Sequence, residues 1–133
     1  MLRILLAEDN PGDIHLVRQC LRRHAIENEL HVVQDGEEGI RYVVGVGGPG
    51  EPPCPDVILL DLNLPKADGL DVLREFRKSH TCLGTRVIVV TSSDAPRDRA
   101  RAAELGIDYY FCKPSSFNEF MRLGAVVKEL TAG

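Results

Sequence analysis

The feature that most constrains the fold of this chain is the regular alternation of short apolar runs with longer segments of helical period. A run that is apolar on both faces is typical of a parallel strand covered by helices on both sides of its sheet. Strands that alternate with helical segments indicate βα units. The pattern therefore predicts an α/β fold with a doubly wound, five-stranded parallel sheet. The predicted strands are Leu2–Ala7, Glu29–Gln34, Asp56–Asp61, Arg86–Thr91 and Tyr109–Cys112.

Capping residues and apolar spacing predict five helices. Asn10 is a good N-cap, and Pro11 suits the first helical position because its missing N–H would have no partner there. Asp35 is the predicted cap of the second helix, and the fourth runs from about Pro96 to Leu105 and stops at Gly106. The apolar positions of the first three helices at core-facing spacing are Ile14, Val17, Leu21, Ile40, Val43, Val44, Leu70, Leu73 and Phe76.

The last predicted helix opens with the segment Ser116–Glu119, which has the spacing of a capping box. Phe117 and Met121 lie toward the flank of its apolar stripe, where they either widen the core contact or form part of an exposed docking surface. The stripe itself consists of Phe120, Leu123, Val127 and Leu130.

Length, charge and cysteine content limit the domain number, the compartment and the partners. A chain of 133 residues predicts one domain spanning residues 1–133, with no attached output domain. The net charge of −4 and the lack of a long Lys/Arg run argue against a nucleic-acid partner. No apolar stretch approaches the length of a membrane span, so we expect a cytoplasmic protein without membrane contact. The scattered cysteines, which lack CxxC spacing, predict reduced thiols at Cys20, Cys54, Cys82 and Cys112.

Five chemically active residues fall at the carboxyl ends of predicted strands: Glu8, Asp9, Asp61, Thr91 and Lys113. In an open parallel sheet these ends converge on one crevice, which is the default binding site. Three carboxylates brought together repel one another unless a cation balances them. Hard oxygen ligands left incomplete by the protein suit Mg²⁺, so the sequence predicts a magnesium site. The alternative is a set of solvated loop acids.

The Lys113–Pro114 dipeptide predicts how the ammonium reaches this crevice. X–Pro bonds have an appreciable cis population, and a cis bond would set a sharp bend that turns Lys113 inward. Thr91 offers a hydroxyl at the same level. A carboxylate, a metal ion, an ammonium and a hydroxyl are the groups that phosphoryl transfer to an aspartate requires.

Four blocks of the sequence together resemble the receiver domains of bacterial two-component response regulators. The blocks are Leu5–Asn10, Ile58–Pro65, Val89–Ser92 and Phe111–Pro114, in the family's order and at suitable spacing. The resemblance covers essentially the whole chain. It implies a flavodoxin-like (βα)5 fold with strand order 2-1-3-4-5.

The resemblance also implies a role for the three acids of the crevice and for Asn63. Asp61 would be the phosphoacceptor, the nucleophile that receives the phosphoryl group. Asp9 would bind Mg²⁺ directly, Glu8 would bind it through water, and Asn63 would contribute its backbone carbonyl. No cofactor other than Mg²⁺ is implied.

Three further residues match the part of the family that senses phosphorylation. Thr91 and Lys113 would hold the phosphoryl oxygens, and Tyr110 matches an aromatic switch that turns inward when the threonine hydroxyl moves toward the phosphate. The alternative for Tyr110 is an ordinary strand aromatic, since aromatic residues readily populate strands.

The resemblance implies a signalling switch with shared catalysis. A partner histidine kinase would supply a phosphohistidine, and this domain would supply the attacking carboxylate, the metal site and a slow hydrolysis that resets it. The face formed by the fourth helix, the fifth strand and the fifth helix is the predicted partner or homodimer surface. The segment Ala7–Asp13 and the long loop near residues 45–55 are similar to single-domain regulators paired with phytochrome-type kinases; chemotaxis-type action on a motor is the alternative.

Rival interpretations remain open on the sequence. The segment Gly45–Gly50 matches the GxGxxG pattern, but it follows a predicted helix and no helix begins after it, which argues against a dinucleotide site. A small aspartyl-phosphate hydrolase would carry a second acid where Asn63 stands, and a flavodoxin-like FMN binder would place its phosphate against Glu8 and Asp9. A pseudo-receiver that only binds partners is the third alternative.

Overall fold

The sheet of the computed structural model, which describes residues 1–132, contains five parallel strands in the order β2-β1-β3-β4-β5. This order confirms both the predicted α/β class and the flavodoxin-like topology implied by the resemblance. β3 is buried along its whole length, as expected for a central strand covered on both faces. The strands are β1 (Leu2–Ala7), β2 (Asn28–Val33), β3 (Val57–Leu60), β4 (Arg86–Thr91) and β5 (Tyr109–Cys112).

Helices cover both faces of the sheet, and the side chains of Asn10, Asp35, Asp68 and Ser116 cap the starts of four of them. Asn10 accepts a hydrogen bond from the backbone N–H of Asp13, and Asp35 accepts one from Glu38, so both predicted caps are confirmed. Asp68 and Asp71 form a reciprocal capping box that we did not predict. The helices are α1 (Pro11–Arg23), α2 (Gly36–Gly45), α3 (Gly69–Lys78), α4 (Pro96–Glu104), α5 (Phe117–Phe120) and α6 (Arg122–Thr131).

Successive residues of β1 point into two separate cores, one on each side of the sheet. Ile4 and Leu6 pack in the core that contains residues of α1 and α6, whereas Leu5 and Ala7 pack in the core that contains residues of α2 and α3. Most of the predicted core positions are buried or half-buried. Val44 is the exception, because it is 59% exposed while its neighbour Val43 is fully buried. The prediction that Val44 faces the core is therefore wrong: adjacent helical positions point about 100° apart.

The last predicted helix is divided at Met121 into α5 and α6. The carbonyl of Met121 lies 2.8 Å from Nε2 of His24 and 3.2 Å from the backbone nitrogen of Gly124, which closes a tighter turn there. The ring of His24 lies directly against the Cα of Gly124, where any side chain would overlap it. Met121 is buried, so it widens the core, whereas Phe117 is 43% exposed and is available as surface.

Two of the four cysteines form a disulfide, which shows that the prediction of reduced thiols is wrong for this pair. Cys54 lies in the long loop between α2 and β3, and Cys82 lies between α3 and β4. Their Cα atoms are 5.6 Å apart, and the residues are 28 positions apart in sequence. Their scattered sequence positions gave no sign of this proximity, because it depends on how α2 and α3 pack. Cys20 and Cys112 are free thiols, as predicted.

The glycine-rich segment Gly45–Gly50 begins at the last residue of α2 and continues as a loop toward β3. Gly47 and Gly50 have positive φ values of 83° and 74°, and the N–H of Gly47 donates to the carbonyl of Pro52 at 2.7 Å. No helix begins in the stretch from residue 46 to residue 56. The segment therefore lacks the strand before it and the helix after it that a dinucleotide site needs.

Within residues 1–132 no helix is both long and apolar enough to cross a membrane.

Candidate phosphoacceptor site

The acidic residues lie together because β1 and β3 are neighbours in the sheet. Ala7 pairs with Leu60 in register, so the next residues, Glu8 and Asp61, leave adjacent strands at the same edge. One carboxylate oxygen from each of Glu8, Asp9 and Asp61 can be chosen so that all lie within 4.8 Å of one another. Sequence reasoning predicted this cluster, because the carboxyl ends of parallel strands meet at one edge.

The ammonium of Lys113 contacts two of these acids and one further acid, Asp13. Its Nζ donates to Oε1 of Glu8 at 2.7 Å, to Oδ2 of Asp13 at 2.8 Å and to Oδ2 of Asp61 at 2.9 Å. The Lys113 side chain is only 10% exposed, so the three ion pairs are largely shielded from water. All three hydrogen-bonding protons of the ammonium therefore have carboxylate acceptors.

The predicted cis bond at Pro114 is wrong, since the described residues contain no cis peptide bond. The backbone N–H of Lys113 instead donates to the carbonyl of Thr91 at 2.7 Å, which continues the β4–β5 pairing past the end of β5. This pairing holds Lys113 at the sheet edge, and its long side chain reaches the acids from there.

Asp13 is a site residue that sequence reasoning missed. It lies in the first turn of α1, where its own N–H is held by the cap Asn10, and its carboxylate contacts Lys113 from 100 positions away in sequence. The signal that could have found it is local: the Asn10–Pro11 start of α1 places residue 13 in the turn that faces the sheet edge.

Burial sets the protonation chemistry of the pair at the centre of the site. Glu8 is almost completely buried, and this desolvation, together with the negative charge of Asp61, raises the pKa of its carboxyl group to about 7 against the pull of Lys113. Burial alone would lower the pKa of the Lys113 ammonium, but hydrogen bonds to Asp13, Glu8 and Asp61 outweigh it and raise the pKa above the ordinary value. The site thus keeps Lys113 charged and brings the pKa of Glu8 close to neutral pH.

Asp61 is buried and oriented from two sides. Its Oδ1 accepts from the backbone N–H of Asn63 at 3.1 Å, while its Oδ2 accepts from Lys113. Gly69 packs so closely against the carbonyl of Asp61 that a Cβ there would overlap it, and its N–H donates to the carbonyl of Leu62 at 3.0 Å. The backbone turn after β3 is therefore closely determined by α3.

Thr91 and Tyr110 are joined through the loop that follows β4. Thr91 is fully buried, and its hydroxyl accepts from the backbone N–H of Ser93 at 3.4 Å. The Tyr110 hydroxyl donates to the carbonyl of Ser93 at 2.8 Å. Ser93 thus contacts both residues that the sequence analysis assigned to phosphate sensing.

The donor set fits a divalent metal ion. Carboxylates are hard oxygen ligands, and three of them that converge beside open solvent leave coordination positions for water or phosphate oxygens. Asp9 is exposed while Glu8 and Asp61 are buried, so the cluster opens outward at Asp9.

Comparison with known proteins decides the family. The family model of the response regulator receiver domain matches residues 4–123 of this chain. The chain belongs to this family. It is therefore a receiver domain of two-component signalling, a family whose members bind divalent metal in an acidic pocket.

Individual receiver domains are similar over most of their length. Response regulator Rcp1 of Synechocystis sp. is 33% identical over 120 residues, covering 90% of this chain and 82% of Rcp1. The structure of Rcp1 with Mn²⁺ bound has a TM-score of 0.83 at 30% identity and covers 97% of this chain and 93% of that one. The structure of the phosphorylated cyanobacterial phytochrome response regulator RcpA has a TM-score of 0.82 at 30% identity. It covers 96% of this chain and 91% of that one.

A third receiver domain, from a sensor histidine kinase of Pseudomonas aeruginosa, has a magnesium ion coordinated in its active-site cleft. It has a TM-score of 0.77 at 26% identity and covers 99% of this chain and 98% of that one.

Proposed function

We propose that this receiver domain accepts a phosphoryl group from a phosphohistidine of a sensor histidine kinase onto Asp61, with Mg²⁺ as its metal ion. The observation that carries the proposal is the convergence of Glu8, Asp9 and Asp61 around one point, with the ammonium of Lys113 bonded to Asp61. An acidic cluster with two buried members costs stability unless a cation balances its charge.

The chemistry follows from the groups around Asp61. A carboxylate oxygen of Asp61 attacks phosphorus, a P–O bond forms, and the P–N bond to the kinase histidine breaks with its electron pair left on the imidazole nitrogen. Lys113 and the hydroxyl of Thr91 donate to the phosphoryl oxygens, whose charge is the main feature to be stabilised. Asp9, Asp61 and the backbone carbonyl of Asn63 would hold Mg²⁺ directly, and Glu8 would hold it through water. The ion would add positive charge beside the phosphoryl oxygens.

The domain would act as a switch that an acyl phosphate sets and slow hydrolysis resets. Thr91 and Tyr110, already joined through Ser93, would transmit phosphorylation to the face formed by α4, β5 and the α5–α6 segment. We propose that this face binds a partner or a second copy of the chain. We also propose that the protein is cytoplasmic and that residues 1–133 act as a single domain.

A phytochrome-type kinase is the partner that the relatives favour. RcpA is named a phytochrome response regulator, and it is similar to this chain over nearly all of both lengths. Phosphotransfer from a purified phytochrome-type kinase, compared with transfer from a kinase of unrelated sensor type, tests this part of the proposal. Equal rates from the two kinases would remove it.

Acetyl phosphate with Mg²⁺ tests the phosphoacceptor directly. We expect the wild type to gain the mass of one phosphoryl group, and Asp61→Asn to gain none. Glu104→Gln, an exposed acid of α4, is the matched control and should behave as wild type. Equal labelling of the Asp61→Asn variant would refute the assignment. Sustained release of phosphate from many esters would favour a hydrolase, and no labelling with any donor would favour a pure binding module.

A further inference from the structure

The ring of Tyr110 lies inward, beneath the loop that joins β4 to α4. Its hydroxyl donates to the carbonyl of Ser93 in that loop at 2.8 Å, and its ring is half-buried. The ring packs against a small cluster on the α4 side of the sheet. The buried members of this cluster are Leu62, Leu70, Val89 and Ala102.

Arg99 of α4 covers the ring of Tyr110. Its guanidinium carbon lies 4.4 Å from the ring centroid, well within the range of a cation–π contact. Its Nε donates to Oδ1 of Asp94 at 2.7 Å, and Asp94 belongs to the same loop as Ser93. The guanidinium is therefore anchored to the loop while it stacks on the ring.

A second contact fixes the loop itself. The hydroxyl of Ser93 donates to the carboxylate of Asp98 in the first turn of α4. The carbonyl that accepts from Tyr110 thus belongs to a residue held at its side chain as well.

We propose that Arg99, anchored by Asp94, is a positioning residue that holds Tyr110 inward and thereby raises the affinity of the Asp61 site for a phosphoryl group. The inference rests on the proposed function of Asp61. Ser93 is the physical link, since its N–H donates to the hydroxyl of Thr91 and its carbonyl accepts from Tyr110. Contacts that favour one conformation of Tyr110 bias the conformation of Thr91, and phosphate bound beside Thr91 favours Tyr110 in return.

The expected loss of affinity for a phosphoryl analogue follows from the strength of an exposed cation–π contact. Arg99 is solvent-exposed, so loss of its contact should weaken phosphoryl-analogue binding by about two- to five-fold. Arg101, an exposed arginine of the same helix that makes no side-chain ion pair or ring contact within residues 1–132, is the matched control.

The experiment uses ¹⁹F NMR of protein labelled with 3-fluorotyrosine. The chain has three tyrosines, and Tyr110→Phe identifies the resonance of Tyr110. Without any ligand, Arg99→Ala and Asp94→Ala should both move the Tyr110 resonance toward its solvent-exposed position, whereas Arg101→Ala should leave it unchanged. An unmoved resonance in a folded Arg99→Ala variant would overturn the proposal.

Titration with beryllofluoride and Mg²⁺ then tests the coupling to Asp61. Arg99→Ala should weaken binding by about two- to five-fold. In a Tyr110→Ala background the same substitution should have no further effect, because Arg99 acts only through the ring. Equal affinities of the wild type and Arg99→Ala would overturn the proposal, as would an undiminished effect of Arg99→Ala without the ring.

The two proposals fail in different ways. If the wild type binds no beryllofluoride, the phosphoacceptor assignment fails, and the ligand-free Tyr110 resonance still decides whether Arg99 positions the ring. If the wild type binds and Arg99→Ala binds equally well, only the role of Arg99 fails. Should Arg99→Ala unfold, Arg99→Gln removes the charge with less loss of side-chain bulk and is judged by the same two readouts.

Discussion

The ammonium of Lys113 lies 2.9 Å from Oδ2 of Asp61, although 52 positions separate the two residues in sequence. The same ammonium contacts Glu8 and Asp13, so one lysine offsets several buried or half-buried acids. Lys113 and a divalent metal ion therefore attract the same carboxylates. Removal of either should change how strongly the other stabilises the folded protein.

Lys113→Met should destabilise the protein in EDTA by about 3–5 kcal/mol, because it leaves buried carboxylates without their counter-charge. Millimolar Mg²⁺ should restore more stability to the variant than it adds to the wild type. Urea denaturation with and without Mg²⁺ measures both effects. Lys128→Met, at an exposed position of α6, is the control and should change little. A Lys113→Met protein as stable as wild type in EDTA would contradict this account.

Glu8→Gln should change how stability depends on pH in the absence of metal. The folded-state pKa of Glu8, about 7, lies above its ordinary value of 4.5, so the folded state binds more protons than the unfolded state between these values. Its contribution to stability is therefore present below about pH 4.5 and is lost as the pH rises through 7. Glutamine does not titrate, so the variant lacks this loss.

Urea denaturation of both proteins in EDTA, at about pH 5 and about pH 8, measures the difference. The free energy of unfolding of Glu8→Gln relative to wild type should rise between the two conditions, by at most about 3 kcal/mol. A difference that does not vary with pH would mean that Glu8 titrates near its ordinary value in the folded protein.

Gly124→Ala should lower the free energy of unfolding, measured by urea denaturation, by about 1–3 kcal/mol. The added methyl group would overlap the ring of His24, which follows α1. His24→Ala should relieve much of this cost, so the double variant should be less destabilised than the sum of the single variants. Gly84→Ala is the matched control, since a Cβ there meets no atom within 4 Å. Additive effects of Gly124→Ala and His24→Ala would show that the overlap is not the cause.

Reduction of the Cys54–Cys82 disulfide should lower the free energy of unfolding. The bond links residues 28 positions apart, and the chain-entropy model assigns such a loop about 3–4 kcal/mol. Urea denaturation with and without a reductant measures the loss, and Cys54→Ser with Cys82→Ser should reproduce it. A variant with Cys20→Ser and Cys112→Ser should keep its response to the reductant. Identical unfolding of the wild type in both conditions would show that the bond adds no stability.

Local sequence determined the secondary-structure elements and the edge of the sheet at which the candidate site lies. The caps Asn10 and Asp35, the buried run of β3 and the acids after β1 and β3 were all predicted, because each depends on hydrogen bonds or periodicity among near neighbours. The strand order was implied by the resemblance to receiver domains, and the structure has the same order.

Only the tertiary structure decided the contacts between distant parts of the chain. The third acid on Lys113, the disulfide, the break at Met121 and the cover of Arg99 on Tyr110 all needed elements to pack first. Spacing along a chain specifies which side of an element a residue occupies. It carries no information on which side chain of another element lies opposite, and that is set by how the helices pack on the two faces of the sheet.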